Sequence, residues 1–238
     1  MPAIATVTID RQDRRNALDV ETCGRVADEI GAAVEARARA VVVTGAGTHF
    51  CAGADLALVH GDALSAALRR LLDTIVSVPA VVIAAVHGAA LGAGTQLALA
   101  CDLRVVDPTA RFGIPAAKLG LMVDHWTVKR LALLAGHGPA RAMLLAAEEL
   151  DAEAALRLGL AQRPGDLVAA QSWAEHISAL APLTVAGHKA LLNGLEFSVP
   201  PAAAAAGAAA YQRAWASSDG QEGLAAFRAR RPPEFRGA

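Results

Sequence analysis

Two glycine-rich stretches hold the residues whose spacing could do chemistry. The first runs Thr44-Gly45-Ala46-Gly47-Thr48-His49-Phe50-Cys51-Ala52-Gly53-Ala54-Asp55-Leu56, and the second His87-Gly88-Ala89-Ala90-Leu91-Gly92-Ala93-Gly94-Thr95-Gln96. Each follows a short apolar, β-branched-rich run, Val41–Val43 and Val81–Val86, and the second opens into a helical pattern. Such junctions deliver bare backbone N–H groups, and a helix start adds the positive end of its dipole. Two of them converging would stabilise negative charge as it develops on an oxygen. A tight turn with close helix packing would account for Gly88, Gly92 and Gly94 alone, but not for the accompanying Cys51-Ala52-Gly53-Ala54-Asp55 segment. A nucleotide loop fits poorly: Phe50 stands where Gly45-x-Gly47 would need its third glycine, and G-K-S/T occurs nowhere.

Taken together, the motifs resemble those of the crotonase superfamily, the enoyl-CoA hydratases and isomerases. There, F-C-A-G-A-D-L and G-x-x-x-G-x-G form the two halves of an oxyanion hole, and motif matching puts the two donors on the amides of Ala54 and Ala93. The resemblance extends from Arg14-Arg15-Asn16-Ala17-Leu18 through Ala100-Cys101-Asp102-Leu103-Arg104 to Arg230-Arg231-Pro232-Pro233-Glu234-Phe235, nearly the whole chain. It implies an α/β fold, a spiral of ββα turns over residues 1–182, with a C-terminal helical region 183–238 that builds a homotrimer or a dimer of trimers. It also implies acyl-CoA as ligand or substrate and no other cofactor. Two family acids are absent. The first glutamate position, two residues after the last glycine of the second motif, holds Gln96, and the second, after the proline of F-G-x-P, holds Ala116.

The missing acids bear on the chemistry. A thioester carbonyl becomes enolate-like when a proton leaves Cα or water adds at Cβ, and two convergent amides can hold the new charge. Hydration also needs a proton donor and a base around one water. Gln96 is a neutral amide that can hold a water or carbonyl but not exchange a proton at pH 7, and Ala116 has no polar side-chain atom. Losing both acids should cost on the order of 10⁴ or more in rate. The chain therefore looks most like a mycobacterial-type enoyl-CoA hydratase paralogue without either glutamate, a kind implicated in acyl-CoA handling for long-chain lipid assembly alongside lipid-synthesis enzymes. The alternative is an active hydratase, or an enoyl- or dienoyl-CoA isomerase that uses Asp124, where some family isomerases carry an aspartate. Asp124 also reads as a plain N-cap for the helix that follows, and both readings stay open.

Trp126, Met122 and Phe112 read either as core or as lining of the acyl channel. The resemblance places the CoA end against the Ala52, Gly53, Asp55 and Leu56 loop, the Arg15 and Ala17 loop, and Gly92. Arg15, and Arg228 or Arg230, are its candidates for the phosphates, and Asp102 reads as structural.

The elements that must position these residues are legible as strand and helix patterns. Ile4 to Ile9, Ala40 to Val43, Val81 to Val86, Leu103 to Val106 and Arg111 to Gly113 read as strands, with Leu160 to Gln162 as a last short one. Helical patterns span about Asp19 to Arg37, Leu64 to Val76, Gly92 to Ala100 and Asp124 to Ala135, and nearly everything after Asp151. Ala202 to Ala210 reads as a closely packed helix because Tyr211 and Trp215 continue a face at i, i+4. Val78 to Leu103 is long enough to span a bilayer, but Pro79, His87, Gln96 and its glycines divide it into strand, turn and helix. The 238 residues are 54% hydrophobic, which points to apolar surface buried between subunits, while a net charge of −1 offers no field for nucleic acid or an acidic membrane. The strand-like start has no basic n-region, so the expected location is cytoplasmic. Cys23, Cys51 and Cys101, with no CxxC pair, and seven histidines with no H-x-H or HExxH spacing indicate neither disulfide nor metal site.

Overall fold

The computed structural model describes residues 3–55, 62–195 and 201–235. In chain order its elements are β1 (Ile4–Ile9), α1 (Val20–Glu35), β2 (Ala40–Gly45), α2 (Asp62–Ser77), β3 (Val81–Val86), β4 (Ala89–Leu91), α3 (Ala93–Ala100), β5 (Leu103–Val106) and β6 (Arg111–Gly113). There follow α4 (His125–Ala135), α5 (His137–Leu145), β7 (Glu149–Asp151), α6 (Ala152–Arg157), β8 (Arg163–Pro164), α7 (Leu167–Ser178), α8 (Pro182–Leu195), α9 (Pro201–Ala216) and α10 (Ser218–Arg228). By compactness the chain forms two units, Met1–Phe112 with Leu150–Leu195, and Gly113–Glu149 with Glu196–Ala238. This grouping differs from the 1–182 and 183–238 division that the resemblance implies, because α8 belongs to the first unit and Gly113–Glu149 to the second.

In the first unit the apolar runs become a parallel sheet in the order β1-β2-β3-β5-β8. Alternate residues Ala40, Val42, Val81, Ile83, Ala85 and Val105 pack with Ala170, Ala174 and Ile177 of α7, while Val41, Val43, Val82 and Ala84 between them are also fully buried. A sheet covered on both faces needs continuous rather than alternating apolar residues, which is why these strands read as unbroken runs. α1 is capped by Asp19, whose Oδ1 accepts from the Thr22 amide at 2.7 Å, and it buries Cys23, Val26, Ala27 and Ile30 at helical spacing. The register pairs Ile9 with Gly45 and Val43 with Ala84, so β1, β2 and β3 all release their chains at one edge. Both glycine-rich stretches start there, at the carboxyl ends of parallel strands, where α/β sheets carry their sites.

The last short strand is Arg163–Pro164 rather than Leu160 to Gln162. Leu160 and Ala161 are buried, and Arg104 takes both the Leu160 carbonyl and the Gln162 side chain, so pairing with Val105 begins only at Arg163. Strands β4 and β7 were not evident in the sequence, since Ala89–Leu91 lies inside the second glycine-rich stretch and Glu149–Asp151 has a single apolar residue between two acids. With β6 they form a small sheet in the order β4-β6-β7.

The second unit is helical. Tyr211 and Trp215 of α9 stack with ring centroids 5.9 Å apart, and the Trp215 indole donates to the Met122 carbonyl at 2.9 Å. Gly120 has φ +64, and a Cβ there would run into the backbone of Asp219 and Gly220, so the corner between α9 and α10 rests directly on the segment that leads to α4.

Helix α8 turns two polar side chains, Lys189 and Asn193, inward. Buried Lys189 donates to the carbonyls of Ile75 and Ala80, both at 2.9 Å, and to Asp102 Oδ2 at 2.7 Å, while Asn193 donates to Val76 at 2.9 Å. Leu183, Leu191 and Leu192 face out instead. Lys189 thus satisfies the carbonyl end of α2 and the Asp102 carboxylate together. Lys189→Met should destabilise the protein by about 3–5 kcal/mol, because breaking a buried pair from one side leaves the other charge uncompensated. Denaturant unfolding tests this, and Asp102→Asn in the same chain should recover part of the loss.

Candidate active site

The first motif lies between two other segments. On one side Ala52 donates to the Arg15 carbonyl at 3.0 Å, Leu18 donates to Gly53 at 2.8 Å, and Asp55 donates to Leu18 at 2.8 Å. On the other, Phe50 donates to the His87 carbonyl at 2.8 Å, Cys51 donates to Ala89 at 2.9 Å, and Leu91 donates to Cys51 at 3.0 Å. Two parallel bridges, Leu18 with Ala54 and Cys51 with Ala90, mark the pairing. The pairing uses the amides of Ala52 and Asp55 and passes over those of Gly53 and Ala54. Among the described residues the Ala54 amide donates to no carbonyl.

The second motif arrives beside it. Gly92, with φ +53, is the N-cap of α3, and a Cβ on it would lie 3.9 Å from the Gly53 Cα. A Cβ on Gly94 would land on the Cys51 carbonyl oxygen, so α3 can approach the first motif this closely only with glycine at that position. Ala93 opens α3, and as the first helical residue its amide has no intrahelical acceptor. The two amides picked out by motif matching therefore belong to neighbouring backbone segments, and both remain uncommitted among the described residues. Seven of the eight α3 residues are buried; only Gln96 is partly open, and its carboxamide makes no hydrogen bond to any described residue. Helical side chains lean toward the N-terminus, which carries that carboxamide back over the turn that begins at Ala93.

Charged residues lock this arrangement. The Arg11 guanidinium donates to the Ala17 carbonyl at 2.7 Å and pairs with Asp55 at 3.1 Å and Asp19 at 3.3 Å. Burial pushes the Asp19 carboxyl up, but the hydrogen bonds from Thr22 and the Arg11 charge outweigh it and hold its pKa below the ordinary value. Fully buried Asn16, in the left-handed region at φ 58, accepts from the Arg11 amide at 2.9 Å and donates to the carbonyls of Ala46 at 2.8 Å and His49 at 2.6 Å. At the far end of α3, buried Arg104 donates to the Ala98 and Cys101 carbonyls, both at 2.9 Å, and to that of Leu160. A cation at the carboxyl end of α3 satisfies its last carbonyls and complements the dipole.

Of the expected CoA-side residues, Arg15 is exposed at φ 52, Ala17, Ala52 and Gly92 are half-buried, Gly53 and Asp55 are buried, and Leu56 lies outside the described residues. Asp102 accepts from the Val82 amide at 2.7 Å and from Lys189, a structural use. Ala116, Asp124 and Trp126 lie in the second unit, Ala116 within the 3-10 turn Pro115–Leu119. Asp124 caps α4: its Oδ1 accepts from the Thr127 amide at 3.0 Å and from the Thr127 hydroxyl. Met122, Asp124, His125 and Trp126 are half-buried, Arg228 and Arg230 are exposed, and Phe112 is fully buried in the first unit.

The sequence reading missed the roles of Arg11, Asn16, Arg104 and Lys189. Three of the four stand inside or beside quoted motifs, but nothing in a linear sequence shows which carbonyls a side chain will meet. Burial pushes the Cys51 thiol up to about 12, so the cysteine at the centre of the first motif stays protonated and its sulfur donates to the Gly53 carbonyl at 3.6 Å. It is a packing residue, not a nucleophile. Among the described residues no cluster of three His, Cys, Asp or Glu side chains is placed to hold a metal, and no helix is long and apolar enough to cross a membrane.

A family model described as enoyl-CoA hydratase/isomerase matches residues 2–238. The chain is 45% identical over 243 residues to the probable enoyl-CoA hydratase echA6 of Mycobacterium bovis, covering 99% of this chain and 97% of the relative. An enoyl-CoA hydratase/isomerase from Pseudoalteromonas atlantica T6c superposes with TM-score 0.88 at 31% identity, over 98% of this chain and 96% of that one. The fold is also that of a methylmalonyl-CoA decarboxylase in complex with 2-nitronate-propionyl-CoA, with TM-score 0.92 at 23% identity, over 100% of this chain and 96% of that one. The chain belongs to the enoyl-CoA hydratase/isomerase family, within the crotonase superfamily.

Proposed function

We propose that this chain binds acyl-CoA thioesters in a crotonase-type oxyanion cradle and hydrates enoyl-CoA poorly or not at all, as an acyl-CoA-handling protein of lipid metabolism. The observation that carries the reading is the pair of uncommitted amides, Ala54 and Ala93, on segments clamped side by side, with Gln96 the only open side chain of α3. A thioester carbonyl oxygen would accept from both amides, and the positive end of α3 would favour charge there. Each such donor is typically worth about 3–4 kcal/mol on a developing oxyanion. Proton transfer is what the chain lacks at the two motif positions: Gln96 orients by hydrogen bonds, and Ala116 contributes only its methyl group. The role for Arg15 is with the CoA phosphates, since it is exposed and forms no ion pair with a described residue. The outward leucines of α8, with the 183–238 region, support self-association as a trimer or dimer of trimers.

Titration calorimetry should show saturable binding of a long-chain acyl-CoA, with free CoA binding less well; no binding of any C4 to C18 acyl-CoA would end this reading. Crotonyl-CoA hydration should be weak in the parent and should rise in Gln96→Glu with Ala116→Glu, each single change gaining little. Robust hydration that survives Gln96→Ala would mean that another residue supplies the protons.

Gly94→Ala should weaken acyl-CoA binding by about tenfold or more, because the added methyl meets the Cys51 carbonyl and overpacking of this kind costs about 1–3 kcal/mol. Asp124→Asn should change stability by at most about 1 kcal/mol and leave binding intact, since Asn caps as well as Asp. Double-bond migration measured in the parent and lost in Asp124→Asn would replace the carrier reading with an isomerase.

A further inference from the structure

His49 joins the two glycine-rich stretches through its side chain. It belongs to the first, yet its Nδ1 lies 3.2 Å from the amide of Ala89 in the second. An N–H donates there, so Nδ1 must be the unprotonated nitrogen and the proton of the neutral ring sits on Nε2. The bond completes the ladder that Phe50, Cys51 and Leu91 make with residues 87–91, and the His49 carbonyl is held in turn by Asn16. A Cβ on Gly88 would lie 2.7 Å from the same Nδ1, so the ring is packed directly onto the turn that enters β4.

We propose that His49 is a positioning residue for the cradle, its neutral imidazole coupling the two motif segments so that acyl thioester is held only while Nδ1 can accept the Ala89 hydrogen. This rests on the functional reading above. Protonation would turn the acceptor into a second donor aimed at an N–H, and the start of β4, three residues before Gly92, would lose its side-chain tie to the first motif and keep only the backbone bond from Cys51. The cations facing the ring come from both flanking loops, Arg15 after β1 and His87 after β3, and His87 points its own Nε2 at the Gly47 carbonyl at 3.1 Å. Burial first, then these two charges, lowers the His49 pKa from the ordinary 6.5. The sign follows: a histidine with a depressed folded pKa stabilises the folded state above 6.5 and loses that contribution as pH falls through the folded value. Binding should follow the same course.

The test measures butyryl-CoA affinity by calorimetry from pH 8 down to pH 5. In the parent the dissociation constant should rise by up to about tenfold per pH unit once below the His49 pKa, because only the neutral fraction binds. His49→Asn keeps an acceptor at the same distance from the backbone but does not titrate, so it should bind at pH 8 and lose this acid weakening. His87→Asn should retain it. Acid weakening that persists in His49→Asn, or its absence in the parent, overturns the proposal. Nitrogen NMR of the unsubstituted protein gives an independent reading whether or not the variants fold: Nδ1 of His49 should be unprotonated at pH 7 and titrate below 6.5. A protonated Nδ1 at pH 7 overturns the proposal. If no acyl-CoA binds at any pH, the functional reading fails and the nitrogen titration alone decides the role of His49.

Discussion

The site depends on the hydrogen bonds that Cys51 makes with both ends of β4. Its amide meets Ala89 and its carbonyl meets Leu91, so the first motif lies in parallel register beside the strand that leads into α3. The same carbonyl leaves no room for a Cβ on Gly94, which forces the start of α3 against the first motif. An isolated helix N-terminus has several unpaired amides, but it does not choose which of them meets a second donor from elsewhere in the chain. Here the register narrows the choice. It commits the amides of Ala52 and Asp55 and brings the Ala54 amide, uncommitted among the described residues, to the segment that lies beside the start of α3.

Preorganised backbone needs rigid support, and the support comes from buried cations on carbonyl oxygens. Arg104 takes the last carbonyls of α3, Lys189 takes those at the end of α2 together with Asp102, and Arg11 spans Ala17, Asp55 and Asp19. Each neutralises a place where chain direction changes and carbonyls would otherwise be buried unpaired. Around the site, charge is spent on holding the backbone. That is consistent with the proposed cradle, whose own side chains are an amide and alanines.

How much could be read in the linear chain follows from the range of each signal. Strands β1, β3 and β5 appeared at their observed bounds, as did the short β6, because a run rich in apolar residues between breakers is a local pattern for the first three, and the Asp19 and Asp124 caps appeared because a capping side chain bonds three residues on. Strands β4 and β7 did not, because one lies inside a glycine-rich turn and the other has one leucine between two acids, so that only their partners define them. The end of β8 was displaced because Arg104, nearly sixty residues earlier, claims Leu160 and Gln162.

The site divides in the same way. Which residue types are present, two glycine-rich turns after strands, glutamine and alanine at the two acid positions, and family membership with the α/β fold, was determined by sequence alone, because residue identity and short spacing suffice for it. Tertiary structure alone decided that the segments carrying the Ala54 and Ala93 amides lie side by side, that Cys51 is a buried clamp and not a nucleophile, that Lys189 and Asn193 of α8 face inward, and that His49 reaches Ala89. Those facts depend on hydrogen-bond register and burial between segments some forty or more residues apart, and a backbone amide carries no mark in its own residue of whether a distant carbonyl will satisfy it.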